Sequence, residues 1–237
     1  MVRARPPVLG IAVLAALFAV SPARADQDLS PVSYKVTVPG GEFVFVMLAP
    51  AGERGNGWLN EAQAAEVREI RRVYAVSGLY YNDGTVKPLW TVDWYAREVA
   101  VARDGVHMVR FGPRPELAPD RAAPLGPELA TEAVSFFARG QLVRTYSIGE
   151  LVDRPDRLPR SASHFYWRGG DSFDDARLEY ALVTHDGNRF VFDARTGAIT
   201  SQTRATPSAW WAVGGLATVA AGVALGLWLS RRNRRPA

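Results

Sequence analysis

Apolar positions along this chain follow two rhythms. Near the ends they run unbroken: Val8 to Val20 is free of charge for 13 residues and Ala209 to Leu229 for 21. Between them they alternate with polar residues or come in short bursts, the period-two signature of strands. Val32, Tyr34, Val36 and Val38 alternate with Ser33, Lys35 and Thr37. Pro39-Gly40-Gly41 can turn the chain, and Phe43 to Leu48 continues as an apolar run. This predicts a hairpin over 32–48 whose second strand is buried on both faces. The one helical stretch is Glu61 to Arg72. Asn60 stands at its cap, acids come early and arginines late, as the helix dipole favours. Its apolar content is thin, so it belongs on the surface.

Strand patterning then resumes. Val73 to Val76, Tyr80-Tyr81, Pro88 to Tyr95, Glu98 to Arg103 and Val106 to Phe111 are separated by Asn82-Asp83-Gly84 and Asp104-Gly105. Asp-Gly tolerates positive φ and suits two-residue hairpins. The expectation is a four-stranded antiparallel meander over 73–112. In it, Trp90, Val92 and Trp94 share one face and Thr91, Asp93 and Tyr95 the other. Five prolines in 113–127 exclude regular structure there. Beyond them, 133–138 and 141–147 flank Arg139-Gly140, and 148–153 forms a helical turn. Further strands fall at 162–167, 178–184, 188–193 and 198–202. The fold class is mainly β: antiparallel meanders packed as a sandwich or two sheets, a propeller-blade arrangement being the variant, with one short surface helix.

One internal echo stands out. ARDGVHMVRFG (102–112) aligns with THDGNRFVFDA (184–194). Strand, Asp-Gly, strand resembles the outer-strand hairpins of propeller repeats such as quinoprotein-type blades. That resemblance implies blades of about 40–45 residues, so the central region holds four at most, and a sandwich or two packed sheets fits better than a closed propeller.

The unbroken runs set the topology. Arg3 and Arg5, the run 8–20 and Ala23-Arg24-Ala25 read as a secretory signal cut after Ala25. As a helix, 209–229 would be about 31 Å long, enough for a bilayer core, and it would form a C-terminal transmembrane helix. Trp210, Trp211 and Trp228 sit at its ends. Arg231, Arg232, Arg234 and Arg235 follow in the tail 230–237, on the side that positive charge prefers. The expected organisation is a signal peptide over 1–25 and an extracytoplasmic β-rich domain over 26–208, with sub-blocks 26–112 and 128–203. A membrane helix over 209–229 and a basic cytoplasmic tail complete it, a single-pass arrangement in a bacterial envelope. A sorting signal removed after export shares the hydrophobic-then-basic layout, though no cleavage motif precedes it.

Charge changes meaning once it is located. The chain carries 28 basic and 24 acidic residues, a net charge of +4. Seven of the arginines lie in the signal and tail, leaving 21 basic residues against all 24 acids in the central region. The footprint of a nucleic-acid binder is absent. No cysteine is present, which excludes disulfides, thiolate metal sites and a cysteine nucleophile.

Candidate chemistry is sparse, and no cofactor motif appears. His107, His164 and His185 lack metal-ligand spacing. Ser163 and His164 are adjacent, and on a strand they would point to opposite faces, against a nucleophile–base pair. Asp171, Asp174 and Asp175 in GGDSFDDARLEY form an acidic loop that calcium could use, though the EF-hand spacing is not met. Asp93, among tryptophans, is either an acid with raised pKa or the partner of Arg97 or Arg110 in a structural ion pair. With His164 it makes up the catalytic candidates. Gly214, Thr218, Gly222 and Gly226 line one face of the membrane segment, at the spacing that lets a second helix or a second copy pack closely. These features point to a membrane-anchored extracytoplasmic binding or scaffold module that works with the lipid bilayer or an envelope partner. The alternative is a membrane-tethered envelope hydrolase using acidic residues.

Overall fold

The computed structural model describes residues 30–50, 59–118, 120 and 123–205. Residues 1–25, where a signal peptide is expected, and the whole apolar run 209–229, with Gly214, Thr218, Gly222 and Gly226, lie outside the described residues. Among the described residues no helix is long and apolar enough to cross a membrane.

The protein is mainly β, with three antiparallel four-stranded sheets. The first sheet takes β1 (Tyr34–Thr37), β2 (Phe43–Met47), β3 (Ser77–Tyr81) and β4 (Trp90–Val92) in chain order. The second takes β5 (Val99–Val101), β6 (His107–Phe111), β7 (Glu132–Ala138) and β8 (Gln141–Ser147). The third takes β9 (Arg168–Asp174), β10 (Glu179–Thr184), β11 (Arg189–Asp193) and β12 (Ile199–Thr203).

Alternation within the middle sheet explains the stacking. Val99, Val101, Met108 and Phe137 face one way and pack on Phe45, Met47 and Leu79 of the first sheet. Val109, Phe111, Val134 and Phe136 face the other way and pack on Tyr180, Leu182, Phe190 and Phe192 of the third. A sheet buried on both faces needs apolar residues at successive positions, and MVRF and AVSFF supply them. The far side of the first sheet, with Val44, Val46 and Tyr80, is covered by Ile70 of helix α1 (Glu61–Val73). The expected cap is present as a reciprocal box. Asn60 Oδ1 accepts from the Gln63 amide at 2.9 Å, and Gln63 Oε1 accepts from the Asn60 amide at 3.0 Å.

Two sheets become three because the 73–112 meander divides. β3 and β4 stay with the first sheet, while β5 and β6 open the second, and residues 93–98 cross between them. Trp94 leaves the ladder to pack on Phe137, ring centres 4.9 Å apart, and Tyr95 turns its hydroxyl to the backbone of Val32. The other correction concerns 162–175. The expected strand 162–167 is irregular, and of the expected acidic loop Asp171 and Asp174 lie on the edge strand β9, paired with β10, while Asp175 stands in the turn that follows. The Arg139-Gly140 hairpin is as expected. Both residues have positive φ, 49° and 78°, and a Cβ at Gly140 would lie 2.3 Å from the Thr91 carbonyl oxygen.

The propeller-like echo does not mark equivalent places. Asp104-Gly105 joins the first two strands of its sheet, whereas Asp186-Gly187 joins the middle two. The two turns therefore lie at opposite ends of the stack. Antiparallel pairing defines those ends. One gathers the turns at 38–42, 82–89, 102–106, 139–140, 175–178 and 194–198. The other, here the root, gathers 30–33, 93–98, 112–116, 148–154, 165–168, 184–189 and 203–205. The described chain enters at Ser30 and leaves at Ala205 through this same root.

Candidate binding cleft

A cleft opens at the root of the second sheet, one lobe against the segment that leads through Trp167 and Arg168 into the third sheet and the other against Pro31 and the 93–98 crossing. Two adjoining lobes, of about 260 and 320 Å³, share Arg97, Phe111, Gly112, Pro113 and Arg114. Arg110 and Glu132 line one lobe. Glu98, Arg168 and the run Phe165-Tyr166-Trp167 line the other. Among the described residues, four arginines and two glutamates line the two lobes.

Each wall is fixed by its own chemistry. Arg168, the first residue of β9, is held bidentate by Glu98, at 2.5 and 3.2 Å, and reaches Asp171 at 3.3 Å. Its guanidinium lies 3.9 Å from the centre of the Phe111 ring. Arg168 therefore ties the second sheet to the third by charge and by cation–π contact. Burial alone would lower its pKa; the hydrogen bond and charge of Glu98, with the charge of Asp171, raise it instead. Arg110 is held bidentate by Glu132 at 3.0 and 2.5 Å and stacks over Trp94 at 4.6 Å. Ser135 Oγ donates to the same Glu132 at 2.7 Å. Arg97 and Arg114 are exposed in the cleft, Arg114 lying 5.9 Å from the Tyr166 ring centre. Tyr34 Oη donates to the Ala96 carbonyl at 2.9 Å, which fixes the Arg97 segment to β1.

The root also holds a buried polar knot. Asp186 Oδ2 accepts from the amides of Asp153 and Arg154 at 2.9 and 3.0 Å, and its Oδ1 accepts from Thr184 Oγ1 at 2.5 Å. Asn188 Nδ2 donates to the Leu151 carbonyl, while Asn188 Oδ1 accepts from the Ala205 amide, both at 2.9 Å. Arg204 donates to Asp153 at 2.8 Å and lies over Phe190. The departing chain is thus fastened up to its last described residue.

The structure separates the residues singled out from the sequence. Asp93 is exposed on the 93–98 crossing, and Arg110, one of its two suggested partners, pairs with Glu132 instead. Asp171 turns to Arg168, Asp174 accepts from the amides of Ala176 and Arg177, and Asp175 accepts from the Arg103 amide in the second sheet. Among the described residues, no three acidic, histidine or cysteine side chains gather as metal ligands. His164 is 3% exposed, and Ser163 Oγ lies 2.9 Å from its Nδ1. The two side chains do meet, because 161–164 is a bend rather than a strand. The ring is buried, and the contact holds that bend. His107 Nδ1 meets Asp104 at 2.6 Å within the Asp-Gly turn, and His185 is exposed.

The cleft arginines escape a motif search because they come from three separate segments of the chain. A signal is present all the same: Tyr95-Ala96-Arg97, Arg110-Phe111-Gly112-Pro113-Arg114 and Tyr166-Trp167-Arg168 each set arginine beside aromatics at a strand terminus. Neither a protein-family model nor a curated protein matches this chain.

Proposed function

We propose that this chain is a membrane-anchored extracytoplasmic binding module acting with a partner in the membrane or envelope. One observation carries the reading: the arginine-rich, aromatic-lined cleft sits at the root, the end from which the chain runs on toward 209–229. A concave site with a few charged groups on an apolar floor is suited to recognition. Its own carboxylates, Glu98 and Glu132, are occupied in holding Arg168 and Arg110, which favours binding over acid–base hydrolysis. The stripe of Gly214, Thr218, Gly222 and Gly226 supports a second helix beside the anchor.

The test is the mass of the tagged full-length chain, solubilised from membranes in mild detergent and measured by light scattering. A stoichiometric complex, with a partner or with a second copy, is the expected result. A clean monomer, or recovery of the chain in the soluble fraction, overturns the reading.

A further inference from the structure

We infer that copies of this chain join edge to edge in the plane of the membrane, β8 of one pairing antiparallel with β9 of the next. The inference rests on the membrane-anchored reading and makes the partner a second copy.

Strand length singles out these two edges. Of the six outermost strands, β4 and β5 have three residues, β1 four and β12 five, whereas β8 and β9 have seven. Short edge strands discourage joining, and a long open one invites it. β8 is open along most of its length. Gln141 to Thr145 are all exposed, Leu142 at 60% and Val143 at 41%. On β9, Gly169, Ser172 and Asp174 are exposed.

The stacking sets the two edges on opposite sides of the molecule. Tyr146 of β8 packs on Phe192 of β11, ring centres 5.2 Å apart, and donates to the Gly197 carbonyl just ahead of β12. Arg168 of β9 is held by Glu98, just ahead of β5. β8 therefore lies over the β12 margin of the third sheet, and β9 under the β5 margin of the second. Direction then selects the pairing. β8 runs from the tip turn at 139–140 toward the root, and β9 runs from the root toward the turn at 175–178. In two chains standing the same way up in one membrane, β8 and β9 are antiparallel. An antiparallel pair of two β8 strands would need one chain to stand on its head.

Side chains agree with one register. Leu142 stands opposite Phe137, on the face toward the first sheet, and Phe173 stands opposite Tyr180, on the face toward the second. These faces become continuous when β9 of the next chain extends the second sheet. With Leu142 set against Phe173 of the next chain, the bulge in β8 brings Arg144 against Ser172 and Thr145 against Asp171. Arg144 is then diagonal to Asp174, within reach of a long side chain. Among the described residues neither forms an ion pair of its own. Arg144 lies 5.0 Å from its own Tyr146 ring centre, and Asp174 uses Oδ1 on the amides of Ala176 and Arg177. Because the two edges belong to different layers, each chain steps by one sheet spacing, about 10 Å, and the row stays open-ended.

The chain has no cysteine, so introduced thiols report only on each other. Leu142→Cys and Phe173→Cys are placed in two differently tagged full-length chains, co-expressed and oxidised in isolated membranes. Residues directly opposite on paired strands lie about 4.5–5.5 Å apart between Cα atoms, within disulfide reach. A mixed disulfide dimer is expected when both chains are present, and none from either alone. One chain carrying both substitutions should give a ladder of dimers, trimers and longer rows. A dimer from Leu142→Cys alone overturns the pairing. So does the lack of a mixed dimer in chains that sediment with the membranes and match the parent by circular dichroism, and it leaves the anchor intact. Chains that stay soluble bring down the anchor and the pairing with it. Phe173 is partly buried, so a second test leaves the core untouched. In light scattering of the detergent-solubilised chain, Arg144→Glu should weaken association about fivefold, as like charges on neighbouring strands do, and adding Asp174→Arg should restore it. Association of Arg144→Glu equal to that of the parent overturns the pairing.

Discussion

Arg168 and Arg110 owe their positions to the carboxylates of Glu98 and Glu132, and Asp104 shows the same logic on a smaller scale. Burial pushes the Asp104 carboxyl upward, but the amides of His107 and Val106 and the His107 ring outweigh it and hold it below its ordinary value. A carboxyl depressed in the folded state stabilises the fold above its unfolded pKa of about 3.9. That contribution is lost as pH falls through the lower folded value. Thermal unfolding of Asp104→Asn should therefore differ most from the parent near neutral pH, and the two should converge under acid. A gap that is constant from neutral pH downward would show that the charge of Asp104 contributes nothing. Tyr180 illustrates the opposite sign: burial first, then the charge of Asp171, drives its phenol above the ordinary range.

Elements were the most legible scale of this molecule. Asn60 and the early acids announce the start of α1, Arg139-Gly140 the β7–β8 hairpin, and FVFVM a strand with two buried faces. These signals are local, so a single sequence carries them. The division of 73–112 was not legible, because a meander that continues in one sheet and one that changes sheets share the same alternation. What decides it is Trp94 finding Phe137 and Tyr95 finding Val32, contacts between distant residues. The cleft was hidden for the same reason, its arginines being brought together only when the sheets stack. The role of α1 follows from its contacts. Val67 and Ile70 are its buried residues, so Ile70→Ala should cost about 2–5 kcal/mol of stability in denaturant unfolding. Asn60→Ala should cost about 1 kcal/mol. An Ile70→Ala loss no greater than that of the cap would mean that the helix barely contributes to holding the first sheet.

At the scale of the whole molecule, the middle sheet does the joining. Its two faces supply both principal cores, and Asp175 to Arg103 and Arg168 to Glu98 clasp it to the third sheet at opposite ends. The knot around Asp186 adds a third fastening, between 148–154 and the departing chain. Asp186→Ala would take the acceptor from the part-buried amides of Asp153 and Arg154, a loss of about 1–3 kcal/mol. Faster hydrogen exchange at Ala205 should accompany it. Unchanged exchange there would separate the knot from the fastening of the chain.

Entry and departure through one pole have a mechanical consequence. β1 and β12, next to these two points, are both outermost strands. Tension pulling Ser30 and Ala205 apart would load their ladders crosswise and open them like zips, one rung after another, instead of sliding all the rungs at once. Stretched from those two points, the protein should give way at low force, whereas pulled between Ala205 and the tip at Gly84 it should resist much longer.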